Sequence, residues 1–299
     1  MEHGKKRWVW VASLLLALGL AASAQAGADW PRMVESADGV PISYEVHGAG
    51  EPTLVFVHGW SCDGRYWREQ VSRFSRDHRV VVVDLAGHGH SGLGREVYSM
   101  AAFGEDVRTV VEDAGAEEVV LVGHSMGGPV SVEAAHLMRD AVVGIVGVDT
   151  FQDVGEQRKA EDVEAFLSPL REDFRSEAKI FVSQMFVGST DAALRDWVVA
   201  DMAAAPPRVA ISALEQMLSP SIEGRSGEAF EGLETPVVAI NADLWPTNVE
   251  GNRQHIDRFE AVILEGTDHF LHMAKPDDFN AALADVIAEL GKKRPAAEE

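Results

Sequence analysis

The sequence has one cysteine, Cys62, among its 299 residues. An intramolecular disulfide needs two cysteines, so none can form in this chain, whatever the redox compartment. The chain also lacks an H-E-x-x-H motif and any cluster of cysteine and histidine at the spacing of a zinc site. We therefore expect no metal and no cofactor, and a fold whose stability comes from a hydrophobic core.

Basic residues are scarce as well. The chain carries 26 lysine and arginine residues against 48 aspartate and glutamate residues, which gives a formal net charge of −22 at pH 7. Nucleic acids and anionic membrane surfaces are bound by basic patches, so we expect neither as a partner. A neutral small-molecule substrate is compatible with this charge, and the sequence does not indicate an oligomeric state.

Only one long apolar run is present, and it lies near the N-terminus. Three basic residues at positions 5–7 precede Trp8–Leu20, and two small-x-small sites follow within residues 22–26. This arrangement is typical of a signal peptide over residues 1–26, cleaved near Ala26, and the run is short for a membrane span. An uncleaved anchor is the alternative. We expect a periplasmic or secreted protein with no stable membrane association after cleavage.

Beyond this segment, short uninterrupted apolar strands alternate with amphipathic helices, which is typical of a mostly parallel central sheet with helices on both faces. We predict an α/β fold with a core of residues 27–150 and 233–291 and a charged, disordered tail at 292–299. A hairpin over Met33–Val46 precedes six further strands. These are predicted at Thr53–Val57, Val80–Val83, Val119–Val122, Val142–Val148, Pro236–Ile240 and Ala261–Leu264.

Residues 151–232 interrupt this alternation. The segment is acidic and helix-rich, and about eighty residues is too long for a plain connection. We predict a helical lid inserted after the sixth strand, whose apolar residues either line a substrate pocket or only pack the lid onto the body. The substrate-binding candidates in the whole chain are His58, Trp60, His124, Phe181, Met185, Phe186, Trp197 and Trp245.

The stretch Val119–Gly128 reads V-V-L-V-G-H-S-M-G-G, with a predicted strand before it and a predicted helix after it. In this context G-x-S-x-G is the nucleophile-elbow pattern, in which a serine occupies a tight strand-to-helix turn. Glycines on both sides keep the strained turn free of side chains, and the helix N-terminus favours developing negative charge. We predict that Ser125 is a nucleophile, with an ordinary tight turn as the alternative.

A serine nucleophile also needs an oxyanion hole, a base and an acid, all expected at the carboxyl ends of the strands. The main-chain N–H groups of Trp60, in the loop after the first parallel strand, and of Met126 are the predicted oxyanion hole; a plain turn at Trp60 is the alternative. His269, after the last strand, is the predicted base. Asp243 is the predicted acid, and Asp149, which ends the preceding strand, competes with it.

Together these segments resemble the α/β-hydrolase superfamily, in its lidded serine esterase-like branch, over nearly all of residues 31–290. The matching residues are His58-Gly59, Asp84–Ser91, Gly123–Gly127, Asp243 and His269-Phe270. The order Ser, Asp, His along the chain is that of the family. The resemblance also implies that relatives acting on epoxides or halides carry an aspartate at the elbow, so Ser125 argues against both reactions.

Two further motifs have weaker support. Gly87-x-Gly89-x-x-Gly92 fits a dinucleotide-binding pattern, but no helix follows promptly and the hydrolase resemblance accounts for the same residues. Ser176-x-x-Lys179 fits a motif of penicillin-recognising enzymes, but no Lys-Thr-Gly follows it. We interpret the first as part of the hydrolase resemblance and the second as a chance match.

The predicted function is that of an exported serine hydrolase, which cleaves small or medium carboxylic esters through an acyl-enzyme. An acyltransferase, a perhydrolase or a carbon–carbon bond hydrolase with the same triad is the alternative within enzymes. A ligand-binding protein of this fold with slow turnover is the alternative outside them.

Overall fold

The computed structural model describes residues 31–292, so the predicted signal peptide and the tail beyond Lys292 lie outside the described residues. The strands are β1 (Arg32–Glu35), β2 (Pro41–His47), β3 (Thr53–Val57), β4 (Val80–Val83), β5 (Val119–His124), β6 (Val142–Val148), β7 (Val237–Ala242) and β8 (Phe259–Leu264). They form one 8-stranded sheet in the order β1-β2-β4-β3-β5-β6-β7-β8. β2 pairs antiparallel with β1 and β4, and all other neighbours are parallel. The predicted α/β fold is confirmed.

Helices connect the strands and cover the sheet. They are α1 (Arg68–Phe74), α2 (Met100–Ala114), α3 (Gly127–Leu137), α4 (Ala160–Glu172), α5 (Phe174–Ser183), α6 (Ala192–Met202), α7 (Pro207–Ile222), α8 (Val249–Asn252), α9 (Leu271–Ala274) and α10 (Pro276–Lys292), with 3-10 turns at Gly64–Trp67 and Ser226–Phe230. Local sequence sets the ends of α2: the Ser99 hydroxyl accepts the N–H of Ala102, and Gly115 ends the helix with φ +63°. Within residues 31–292 no helix is long and apolar enough to cross a membrane.

The central strands are buried on both faces. β3 and β4 are buried along their whole length. Successive side chains of a strand point to opposite faces, and accordingly Val55 and Val57 belong to one hydrophobic cluster while Leu54 and Phe56 belong to a second. Two covered faces explain why these strands appear in the sequence as continuous apolar runs rather than alternating ones.

Four helices, α4 to α7, occupy the interval between β6 and β7, and the described residues 151–232 contain no strand. We call this segment the helical insertion. α7 begins at Pro207, where a fixed φ and a missing N–H are tolerated in the first helical turn. α4 packs against α7, and α5 packs against α6. The helical character agrees with the sequence, whereas the action of the insertion as a lid stays a prediction.

Candidate active site

Ser125 lies at the turn between β5 and α3, with φ +51°. This left-handed conformation is rare for a residue with a side chain, and it marks a strained turn held by its surroundings. A Cβ on Gly123 would lie 2.2 Å from Gly127 O, and one on Gly127 would lie 2.3 Å from Val57 O. The two glycines are therefore required by close backbone contacts, and the turn presents Ser125 at the N-terminus of α3.

His269 lies in the loop after β8 and is paired with a carboxylate. Its Nδ1 is 2.5 Å from Asp149 Oδ2, and the Asp149 side chain is fully buried. The second carboxylate oxygen of Asp149 accepts the N–H of Ala242 at 2.9 Å. Because an ionised carboxylate can only accept hydrogen bonds, His269 donates Nδ1–H to Asp149 and keeps the lone pair of Nε2 available.

The predicted pairing of His269 with Asp243 is wrong in this structure. Asp243 is exposed, and its Oδ1 accepts the N–H of Gly266 at 2.8 Å and that of Thr267 at 3.3 Å. The Gly266 hydrogen bond is the main cause of a lowered pKa at Asp243. Asp149 directly follows β6, and Asp243 directly follows β7. β6 adjoins β5, the strand that leads to Ser125, whereas β7 is one strand further away. Asp243 therefore holds the backbone of the loop that carries His269.

The main chain of His269 is also held in place. Its N–H donates to Met185 O at 3.1 Å, and its carbonyl oxygen lies 2.9 Å from His124 Nε2. Because a carbonyl only accepts, Nε2 of His124 carries the proton. Burial holds the pKa of His124 well below its usual range, so this ring is neutral. His124, a predicted substrate-binding residue, is fully buried and supports the loop that carries His269.

Ser125, Asp149 and His269 line one cavity of about 1030 Å³. We call the apolar side chains that the helical insertion contributes to the lining the apolar wall. We call the other hydrogen-bonding and charged side chains the polar wall, and they lie between Thr150 and Asp162 and in the loop after β7. The apolar wall consists of Val163, Phe166, Phe181, Met185, Leu214, Met217 and Leu218. The polar wall includes Thr150, Gln152, Asp153, Glu156, Gln157, Arg158, Lys159, Asp162, Thr247 and Asn248. Of the predicted substrate-binding residues, Phe181, Met185 and Trp245 line the cavity.

Trp60 lies beside this cavity without being among its lining residues. Its indole Nε1 donates to Ala210 O of α7 at 2.7 Å, and its ring meets Phe174 and Phe181 edge-on. Met126 is fully buried at the start of α3. The roles of the Trp60 and Met126 N–H groups as an oxyanion hole stay predictions. The N–H of Ser125 already donates a hydrogen bond to Val148 O at 2.9 Å.

Three other predicted substrate-binding residues are not among the residues that line the cavity. His58 is fully buried; its Nδ1 donates to Gly59 O, and its Nε2 accepts the N–H of Leu85. Phe186 stacks on Phe270 with ring centroids 5.1 Å apart. Trp197 packs on Tyr66, with the guanidinium groups of Arg65 and Arg68 each 5.5 Å from its ring centre. These contacts support the loops and the helical insertion.

The loop over Asp84–Ser91 is structural. Asp84 accepts the N–H of Gly64 with one oxygen and that of His90 with the other, and a Cβ on Gly89 would lie 2.3 Å from its carboxylate. The next helix begins only at Met100. A helix therefore does not follow the glycines directly, as a dinucleotide-binding turn would require. Ser176 and Lys179 are exposed on α5, away from the cavity lining.

The polar wall of the cavity could not be predicted from the sequence, and neither could the partners of Asp268, a buried carboxylate next to His269. Polar residues such as Gln152 and Asn248 follow strand ends at distances that carry no motif, so no sequence signal indicated them. The position of Asp149 directly after a strand was a sequence signal for a site residue. Asp243 also directly follows a strand, so this signal did not distinguish the two aspartates. Within residues 31–292, no group of three or more His, Cys, Asp or Glu side chains is arranged to hold a metal ion.

The sequence model of the alpha/beta hydrolase family matches residues 54–282. The chain is 30% identical over 247 residues to a pimeloyl-[acyl-carrier protein] methyl ester esterase of Edwardsiella ictaluri, covering 80% of this chain and 94% of that protein. It is 38% identical to the non-heme chloroperoxidase CPO-A1 of Kitasatospora aureofaciens, over only 92 residues, 30% of this chain and 33% of that protein.

Solved structures show the same fold. An esterase of Exiguobacterium antarcticum aligns with a TM-score of 0.77 at 18% identity, covering 86% of this chain and 99% of that one. A bromoperoxidase of Bacillus anthracis aligns with a TM-score of 0.74 at 22% identity, with the same coverage of 86% and 99%. From the elbow, the sheet order and these matches together, the chain belongs to the alpha/beta hydrolase family.

Proposed function

We propose that this protein is an exported serine hydrolase that cleaves carboxylic esters through an acyl-enzyme. The observation that carries the proposal is the convergence of Ser125, His269 and Asp149 on one cavity, with His269 and Asp149 hydrogen-bonded. The likeness to the Edwardsiella methyl ester esterase supports an ester as the substrate. The N-terminal sequence pattern supports export to the periplasm or the medium, with a signal peptide removed near Ala26.

We propose one step for each of these groups. His269 Nε2 takes the proton of the Ser125 hydroxyl as its oxygen attacks the ester carbonyl. The N–H groups of Trp60 and Met126 hold the oxyanion, and each donor of this kind stabilises the transition state by about 3 kcal/mol. His269 then protonates the leaving alcohol and activates the water that releases the acid. Asp149 keeps the ring in the required tautomer and stabilises the imidazolium that forms.

The lining of the cavity supports a proposal for the kind of ester. Its apolar wall, built from α4, α5 and α7, suits a hydrocarbon chain of small or medium length. The polar wall offers hydrogen-bonding groups such as Gln152 and Asn248 for the polar part of a substrate. We therefore propose that the apolar chain of the ester lies against the helical insertion.

The main test is steady-state hydrolysis of p-nitrophenyl esters from acetate to dodecanoate. We expect turnover by the unaltered protein and a fall in kcat on the order of 10³-fold or more in Ser125→Ala. Ser176→Ala, at an exposed serine of α5, is the matched control and is expected to keep full activity. Equal rates for the native protein and Ser125→Ala would contradict the assignment of the nucleophile.

Perhydrolysis is a second candidate, favoured by the partial likeness to the Kitasatospora chloroperoxidase. In that reaction hydrogen peroxide replaces water in resolving the acyl-enzyme, and a peracid leaves instead of an acid. Repeating the ester assay with hydrogen peroxide distinguishes the two. Peracid formation faster than acid formation would favour the perhydrolase, and release of acid alone would favour the esterase.

A further inference from the structure

The loop that carries His269 is bound to the helical insertion at three consecutive residues. The carbonyl of Met185 accepts the N–H of His269, and the ring of Phe186 stacks on that of Phe270 with an interplanar angle of 18°. The third contact joins two side chains: the hydroxyl of Thr190 donates to Asp268 Oδ2. All three insertion residues lie between the end of α5 and the start of α6.

Asp268 is the buried member of these contacts. Its side chain is fully buried, and its other oxygen, Oδ1, accepts the N–H of Phe270 at 2.8 Å. Within residues 31–292 no lysine or arginine forms an ion pair with it. A buried carboxylate without a cation depends on hydrogen-bond donors, because each unsatisfied oxygen is costly in a low-dielectric interior. Within residues 31–292 its carboxylate accepts from two donors, and one of them is the Thr190 hydroxyl.

We propose that Thr190 is a positioning residue for His269. Its hydroxyl holds the carboxylate of Asp268, and this carboxylate holds the main chain of Phe270, so the residues on both sides of His269 are fixed. The ring of His269 then stays between Asp149 and Ser125. Thr190 is not among the residues that line the cavity, so it acts through Asp268. The inference rests on the proposed function in one respect, the role of His269 as the base.

The test compares Thr190→Val, which keeps the shape and removes the hydroxyl, with Thr190→Ser, which keeps the hydroxyl. We expect Thr190→Val to lower kcat by about 10- to 100-fold, the effect of one unsatisfied buried acceptor, with little change in KM. Thr190→Ser should keep kcat within about two-fold, since the donor remains. Thr109→Val is the matched control, because its half-buried hydroxyl donates to a carbonyl within α2 and should leave kcat unchanged.

Two further measurements report on His269 directly. The first is the rate at which a fluorophosphonate inactivates the protein. This rate depends on His269 as the base and does not require the right ester to be known. It should fall in parallel with kcat in Thr190→Val. The downfield proton resonance of His269 Nδ1–H, absent in His269→Ala, should shift or broaden in Thr190→Val and stay in place in Thr190→Ser. If the valine variant does not fold, Thr190→Ala removes the same hydroxyl with less bulk.

The outcomes separate this inference from the proposed function. Unchanged kcat, inactivation rate and resonance in Thr190→Val would overturn the inference. Equal losses in Thr190→Val and Thr190→Ser, in step with the melting temperature, would show a role in folding only and would overturn it as well. If the native protein hydrolyses no ester and reacts with no fluorophosphonate, the proposed function fails, and the resonance still decides whether Thr190 positions His269.

Discussion

At the scale of single residues, two carboxylates near His269 have separate tasks. Asp149, 2% exposed, meets the ring nitrogen of His269. Asp243 is exposed and holds the N–H groups at the start of the loop. A buried carboxylate next to the imidazole determines its tautomer and stabilises its charge, whereas an exposed one that accepts backbone N–H groups only restrains the chain.

This division gives a prediction for matched amide variants. Asp149→Asn can hold His269 in the wrong tautomer, and we expect kcat to fall by about 10⁴-fold. Asp243→Asn keeps an oxygen that accepts the Gly266 N–H, so its kcat should change by less than about ten-fold. Steady-state hydrolysis of one p-nitrophenyl ester by both variants is the measurement. A larger loss in Asp243→Asn than in Asp149→Asn would restore Asp243 as the acid.

Ser125 and His269 could be predicted from sequence as candidate nucleophile and base, because each lies in a short motif that follows a strand. The sequence could not decide which aspartate pairs with His269, because Asp149 and Asp243 each directly follow a strand. Their difference lies in the neighbour order of the sheet, where β6 adjoins β5 and β7 does not. That order is set by long-range pairing, and no local pattern records it. The contacts of Thr190 with Asp268 were hidden for the same reason, since 78 residues separate them.

At the scale of elements, α7 forms part of the apolar wall of the cavity. Leu214, Met217 and Leu218 line the cavity from this helix, and the carbonyl of Ala210 accepts the indole N–H of Trp60. One helix therefore contacts both the proposed hydrocarbon site and the loop that supplies a predicted oxyanion donor. Substitutions on its cavity side should change the choice of substrate.

Met217→Trp tests the placement of the substrate chain. A larger side chain at this half-buried position fills part of the cavity, so we expect kcat/KM for dodecanoate to fall about 10- to 100-fold and that for acetate to stay within about two-fold. Ile180→Trp, on an exposed face of α5, is the matched control. The measurement is the chain-length profile of p-nitrophenyl esters. An unchanged profile in Met217→Trp would place the hydrocarbon chain elsewhere.

At the scale of the whole molecule, buried histidines connect stability to pH. His272 of α9 stacks on Trp67 with ring centroids 4.6 Å apart, and within residues 31–292 neither ring nitrogen has a hydrogen-bond partner. Burial lowers the pKa of His272 from 6.5 to about 3. It lowers the pKa of His88 to about 3 as well. Between about pH 6.5 and 3 the unfolded chain binds more protons at these sites than the folded protein, so stability falls as the pH falls through this window.

His272→Leu should make the protein less sensitive to acid. For a group with these two pKa values, lowering the pH from 7 to 4 removes roughly 3 kcal/mol from the free energy of unfolding, and the variant lacks this loss. The measurement is urea unfolding at both pH values. His255→Leu, at an exposed histidine, is the control. A native-like loss of stability in His272→Leu would show that other groups cause the acid sensitivity.

The order of the functional residues along the chain has a consequence for biosynthesis. Ser125 and Asp149 precede the helical insertion, whereas His269 follows both the insertion and β8. In the proposed mechanism, a growing chain therefore holds the nucleophile and the acid long before it holds the base, and without a base a serine hydroxyl is a weak nucleophile. We expect a chain that ends before His269 to be inert towards esters, so the proposed activity would begin only once synthesis of the sheet is complete.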